Sequence, residues 1–159
     1  MSELDPRSYP QLAFAVAPPT VHEDESGRLV LRDPLRERLL RLTPEEWVRQ
    51  QLVAELLQRG FPRGRFGLEW ARNQGRTQGR ADVVVLAESG RPELIAECKA
   101  ATVALAPAHL AQLTRYARVD PPRWLLLTNG LQHRCLELAA SGDEYLARAE
   151  LPMPNATAR

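Results

Sequence analysis

Apolar residues recur along this chain at two spacings, and the change from one to the other marks out its elements. Between Leu42 and Gly60, the positions Trp47, Val48, Leu52, Val53, Leu56 and Leu57 fall at the three- and four-residue intervals of a helix. Thr43 precedes it as an N-cap. Pro44 takes the first helical position, where a missing N–H costs nothing, and Glu45 and Glu46 complement the helix dipole. After Pro62 the spacing shortens, and residues 66–70, 81–87 and 93–98 read as strands. The link Glu88-Ser89-Gly90-Arg91-Pro92 turns the second into the third as a hairpin. Residues 107–118 return to helical spacing through Leu110, Leu113 and Tyr116, residues 124–128 form a buried strand, and Asn129-Gly130 signals a hairpin into residues 132–138.

Upstream, Gly27-Arg28-Leu29-Val30-Leu31 reads as a strand running into Asp33-Pro34. Residues 1–27, rich in Pro and acids, read as an extended arm or a strand pair. The expected order is helix, three strands, helix, two strands (α-β-β-β-α-β-β). That pattern is an α/β fold with a central mixed sheet flanked by helices. The expected division is an arm over 1–27, one domain over 28–150 and a tail over 151–159.

Composition narrows the class. With 159 residues, 44% hydrophobic and 26% charged, the chain suits a single globular domain that needs no disulfide or metal staple. A net charge of +1 gives no global pull toward nucleic acid, so any basic surface must be local. Cys98 and Cys135 lie in apolar runs and suit reduced core thiols. The start, Met1-Ser2-Glu3-Leu4-Asp5, lacks the basic stretch of a signal peptide, and the apolar run from Leu12 to Ala17 is too short to cross a membrane. The expected location is cytoplasmic, with no membrane partner.

The chain holds 20 arginines and one lysine, Lys99. Lys is a compact charge whose pKa moves with its surroundings, whereas Arg is a planar fork that stays charged. Lys99 ends the run Leu94-Ile95-Ala96-Glu97-Cys98-Lys99, and strand alternation puts Glu97 and Lys99 on one face with Cys98 on the other. Asp82 opens the preceding strand. A register pairing it with residue 97 or 99 gathers all three groups on one face, and pairing it with Cys98 separates them. Two converging carboxylates suit Mg²⁺, which keeps several waters. Beside such an ion, Lys99 would position or deprotonate a water, or stabilise charge on a phosphorane. The plain alternative is a surface Glu–Lys pair beside an unrelated Asp.

Arg80-Ala81-Asp82 before a Val-rich strand, then Glu97-Cys98-Lys99, resembles the signature of the PD-(D/E)XK nuclease superfamily. More narrowly, the chain is similar to the N-terminal domain of type I restriction enzyme R subunits and its stand-alone bacterial relatives. Asp33-Pro34-Leu35-Arg36, Thr43-Pro44-Glu45-Glu46-Trp47-Val48-Arg49 and Thr128-Asn129-Gly130-Leu131-Gln132-His133 resemble segments of that group, in order. Gln112-Leu113-Thr114-Arg115-Tyr116 matches the Gln-x-x-x-Tyr motif of the RecB-like branch. The resemblance spans about residues 30–138.

It implies a restriction-endonuclease-like core and a DNA endonuclease activity. It further implies Asp82 and Glu97 as ligands of Mg²⁺ (with Mn²⁺ able to substitute) and Lys99 as base or charge stabiliser. Gln112 and Tyr116, one helical turn apart, would lie near the site. A further Glu on the first helix is common in the superfamily, and Glu46 is the candidate, with Glu45 as a dipole acid. Two departures stand out: Ala81 replaces the proline of the superfamily's name, and the chain stops where an R subunit would continue into its motor domains. With Lys99 the sole lysine, no Gly-x-x-x-x-Gly-Lys loop exists, and ATP-driven translocation is not expected.

The run from Arg72 to Arg80 carries three Arg (Arg72, Arg76, Arg80) and no acid, and leads directly into Asp82. Such a loop would grip DNA phosphates beside the site. The bland alternative is a solvated hairpin loop. His22, His109 and His133 form no metal spacing, and His133 reads as a hairpin residue. Two other functions stay open: a catalytically idle nuclease fold that binds DNA or protein, and a junction-resolving nuclease that works as a homodimer. One fold hosts many functions, so the site must decide.

Overall fold

Thr43 caps the first helix as its sequence position predicts: its Oγ1 accepts the Glu46 N–H at 3.1 Å. Helix α1 (Pro44–Gln58) follows, and Trp47, Val48, Leu52, Val53 and Leu56 sink into the core. The computed structural model describes residues 9–72, 79–118 and 120–155, without the side chains of residues 69–72, 79 and 80. Before α1 lie three short antiparallel strands, β1 (Val21–Glu23), β2 (Leu29–Arg32) and β3 (Leu39–Arg41), which form their own sheet. After α1 a 3₁₀ turn (Arg63–Arg65) leads into β4 (Phe66–Arg72), β5 (Gly79–Leu86) and β6 (Pro92–Cys98). Helix α2 (Pro107–Tyr116), β7 (Trp124–Thr128), β8 (His133–Leu138) and β9 (Tyr145–Arg148) complete the fold.

The second sheet runs β4-β5-β6-β7-β8-β9, and its sequence neighbours are also its spatial neighbours. Every pairing is antiparallel except β6 with β7. Two parallel neighbours need a crossover connection, and α2 supplies it. The sheet is therefore mixed, as expected.

It separates two apolar clusters. On one side Val83, Val85, Leu94, Ala96, Cys98, Trp124 and Leu126 pack under α1 with Leu12, Leu31 and Phe61. On the other, Val84, Ile95, Leu125 and Leu127 meet Leu113 and Tyr116 of α2. Each such side chain removed from water contributes about 1.5–3 kcal/mol, enough to hold the strands level with one another. Among the described residues, no helix is long and apolar enough to cross a membrane.

Three features depart from the sequence pattern. β3 and β9 were not expected: β9 is short and mostly exposed, so it carries little alternation to read. α2 stops at Tyr116, two residues early. Helix α1 is covered more fully than a surface helix, with nine buried residues that include Arg49, Gln50, Gln51 and Glu55. The chain before β1 supplies the cover. Glu55 Oε2 accepts the N–H groups of Ala15 (2.8 Å) and Val16 (3.2 Å), and Trp47 Nε1 donates to Pro10 O at 3.2 Å. The rings of Tyr9 and Trp47 pack 5.3 Å apart.

Candidate active site

Strands β5 and β6 bring the acids together. Their register pairs Val83 with Ala96, Val84 with Ile95 and Val85 with Leu94, and it shifts at a bulge between Val85 and Leu86. The paired residues end at Val83 and Ala96, and Asp82 and Glu97 are the next residue along each strand. Asp82 Oδ2 then accepts the backbone N–H of Cys98 at 2.8 Å and ties the two strand ends. Lys99 follows the last residue of β6. Its N–H donates to Thr128 O on β7 (2.8 Å), and its Nζ donates to Glu97 Oε1 at 3.2 Å.

Glu97 is buried at the carboxyl end of β6, with 6% of its surface exposed. Burial raises its pKa first, the neighbouring Asp82 charge adds to the rise, and Lys99 opposes both, leaving the carboxyl pushed up to about 7. Its second oxygen, Oε2, is buried with no hydrogen-bond partner among the described residues. A lone pair kept from water at such cost calls for a ligand.

Helix α1 faces this pair with residues the sequence reading only partly named. Glu46, the candidate third acid, accepts Arg49 Nη1 on Oε2 (2.7 Å) and Gln50 Nε2 on Oε1 (2.5 Å). Arg49 also reaches Glu45 Oε1 (3.2 Å) and Asp82 Oδ1 (2.9 Å) through Nη2. Sequence reasoning missed Arg49. The signal lay in its spacing of three and four residues from Glu46 and Glu45, which puts all three on one helix face.

Gln112 and Tyr116 come from α2 on the other side of the sheet. Burial raises the pKa of the Tyr116 hydroxyl, Gln112 beside it opposes the rise, and the charges of Glu97 and Asp82 add to it. The motif pair thus lies within electrostatic reach of the acids.

The run from Arg72 to Arg80 is described only at its ends. Arg72 pairs with Gly79 and Ala71 with Arg80 at the close of the β4–β5 hairpin, which places the backbone of Arg80 two residues before Asp82. Arg76, and the side chains of Arg72 and Arg80, lie outside what the structure describes. Two of the three histidines have local partners: His109 Nδ1 accepts the Ala106 N–H at the start of α2, and His133 sits between Thr128 Oγ1 and Ala13 O. Both cysteines are free and buried, and burial pushes the Cys98 thiol up, so neither is disposed to act as a thiolate.

The donor set suits a hard divalent cation. Two carboxylates from neighbouring strands, one with an unpaired buried oxygen, match Mg²⁺, which takes one or two carboxylates and keeps its waters. No cluster of three or more His, Cys, Asp or Glu arranged for a metal occurs among the described residues, so water would fill the remaining positions.

The profile of the type I restriction enzyme R protein N terminus matches residues 44–152, more than half of the chain. A fragment structure described as an HsdR subunit of a type I restriction enzyme from Vibrio vulnificus aligns with a TM-score of 0.50 at 18% identity. The alignment covers 70% of this chain and 24% of that one. At that identity the likeness concerns the fold, and this chain spans about a quarter of the length of that relative. No curated protein matches. The matched span opens on the first residue of α1 and closes beyond β9, taking in Asp82, Glu97 and Lys99, and the chain belongs to the type I restriction enzyme R protein N-terminal family.

Proposed function

We propose that this domain hydrolyses the phosphodiester backbone of DNA in a reaction that depends on Mg²⁺, or Mn²⁺ in its place. The observation that carries the reading is the unpaired, buried Glu97 Oε2 beside Asp82 and Lys99, in a chain of a restriction-enzyme family. Asp82 and Glu97 would hold the ion, with Glu46 on α1 as the outer acid. When bound, the ion polarises the phosphodiester and lowers the pKa of its water.

The chain's own residues do the rest. Lys99, held by Glu97, orients the attacking water and either takes its proton or balances the charge that builds on the phosphorane. Tyr116 and Gln112 flank the acids from α2 and keep bulk water from them. Arg72, Arg76 and Arg80 grip phosphates on either side of the scissile bond.

One observation favours an idle binding module instead: both Asp82 oxygens already have partners, Arg49 on Oδ1 and the Cys98 N–H on Oδ2. A cleavage assay separates the two. Duplex, single-stranded and branched DNAs are offered with Mg²⁺ or Mn²⁺ to the wild type and to Lys99→Ala, Asp82→Ala and the triple Arg72/Arg76/Arg80→Ala variant. Cutting by the wild type should fall ~10²–10⁴-fold in the first two and vanish with EDTA. The triple variant should lose DNA affinity and flatten its salt dependence. DNA binding without cutting of any substrate would replace the nuclease with the binding module, and an unchanged salt slope would remove the Arg run from the interface.

A further inference from the structure

Arg49 is the one long cation that α1 turns toward the acids, and the described geometry wraps it in carboxylates. Glu46 Oε2 lies 2.7 Å away, Asp82 Oδ1 2.9 Å and Glu45 Oε1 3.2 Å, with only 8% of the Arg49 side chain exposed. Three acids from two elements converge on one guanidinium. A multivalent cation entered among carboxylates would be held in much the same way.

We propose that Arg49 is a built-in competitor for the metal: its Nη2 holds Asp82 Oδ1, and a divalent cation loads by taking that oxygen from the guanidinium. The inference rests on the metal-dependent reading above. Asp82 Oδ2 is tied to the backbone of Cys98, so Oδ1 is the oxygen that can change partners without disturbing the strands. Arg49 does not lose its footing in the exchange, because Glu46 and Glu45, one helical turn back on the same face, still hold it. The metal-free acids are thereby partly neutralised and held in order, at the expense of affinity for the ion. A purely structural Arg49 predicts the opposite response to its removal, since a collapsed acid cluster would bind metal worse.

The test measures Mn²⁺ affinity on the full chain by the paramagnetic resonance of free Mn²⁺, with Arg49→Met, Arg49→Lys and Glu97→Gln beside the wild type. Removing a like charge a few ångströms from the ion should tighten Mn²⁺ binding by about tenfold or more in Arg49→Met. Glu97→Gln should weaken it. The Tm of Arg49→Met should fall without metal and rise further than that of the wild type on adding Mn²⁺. Arg49→Lys covers the case in which the Met variant fails to fold: an ammonium cannot span three carboxylates, so binding should tighten by a smaller factor. Folded Arg49 variants that bind Mn²⁺ no more tightly than the wild type would overturn the proposal and leave the metal reading standing. Absence of Mn²⁺ binding by every chain, wild type included, would overturn both.

Discussion

Ionising Glu97 works against the fold, because its carboxylate is buried beside the charge of Asp82 and only partly relieved by Lys99. Its folded pKa lies near 7, above the ordinary 4.5, so the native state holds the proton more tightly than the unfolded chain. The stability tied to this group is complete below about pH 4.5 and is lost as the pH rises through 7. Gln mimics the protonated form. Glu97→Gln should therefore be more stable than the metal-free wild type at pH 8, by about 1–2 kcal/mol, with the difference closing at pH 5. Calorimetry at the two pH values reads this directly, and a variant less stable at pH 8 would show that the Lys99 pair outweighs burial.

At this scale the sequence was a good guide to identity and a poor one to partners. Asp82, Glu97 and Lys99 stood out by residue type and spacing, but the register that would pair their strands did not. Arg49 did not stand out, because one arginine among 20 is invisible until a strand brings an acid to it.

Elements followed from periodicity wherever a face was buried. α1, β4 to β8 and α2 were legible because their apolar residues repeat; β3 and β9 were not, being three and four residues long and exposed to solvent on most positions. The β7–β8 connection shows what periodicity omits. Asn129 Oδ1 accepts the N–H groups of Leu131 (3.0 Å) and Gln132 (2.8 Å), the local bonding that makes Asn a turn residue. Gly130 has φ +84°, and a Cβ there would stand 2.7 Å from Leu12 Cδ2. Only half of that requirement belongs to the turn; the other half is imposed by a residue far away in sequence.

Gly130→Ala should cost about 2 kcal/mol, part from the positive φ and part from the clash. In a double-mutant cycle with Leu12→Ala, the two should couple by about 1 kcal/mol, since removing Leu12 relieves the clash and leaves the φ strain. Strict additivity in denaturant melts would mean that the Leu12 side chain simply swings aside.

Over the whole molecule, the family match and the folded unit do not share a start. The match begins at Pro44, yet Leu12, Val30, Leu31 and Leu42 are buried upstream of it, and Asp33 is fully buried. Beyond β9, Arg59 Nη1 donates to Leu151 O and Trp124 Nε1 to Met153 O, so residues just past the last strand are bonded to the core as well. A fragment of residues 44–152 should melt well below one of residues 9–155 and show red-shifted tryptophan emission, because Trp47 loses Tyr9 and Pro10. Equal melting temperatures would make the upstream chain a mere covering.

The bonds of that upstream segment also carry a consequence for synthesis. His133 Nε2 meets Ala13 O across 120 positions, and Ala13 N–H bonds Gly130 O, so the residues around Ala13 wait for partners made long after them. Until the β7–β8 turn emerges, two of the six strands of the larger sheet, β8 and β9, are missing as well. Closure of the upstream segment thus waits until the β7–β8 turn has been made, and those backbone groups lack these partners until then.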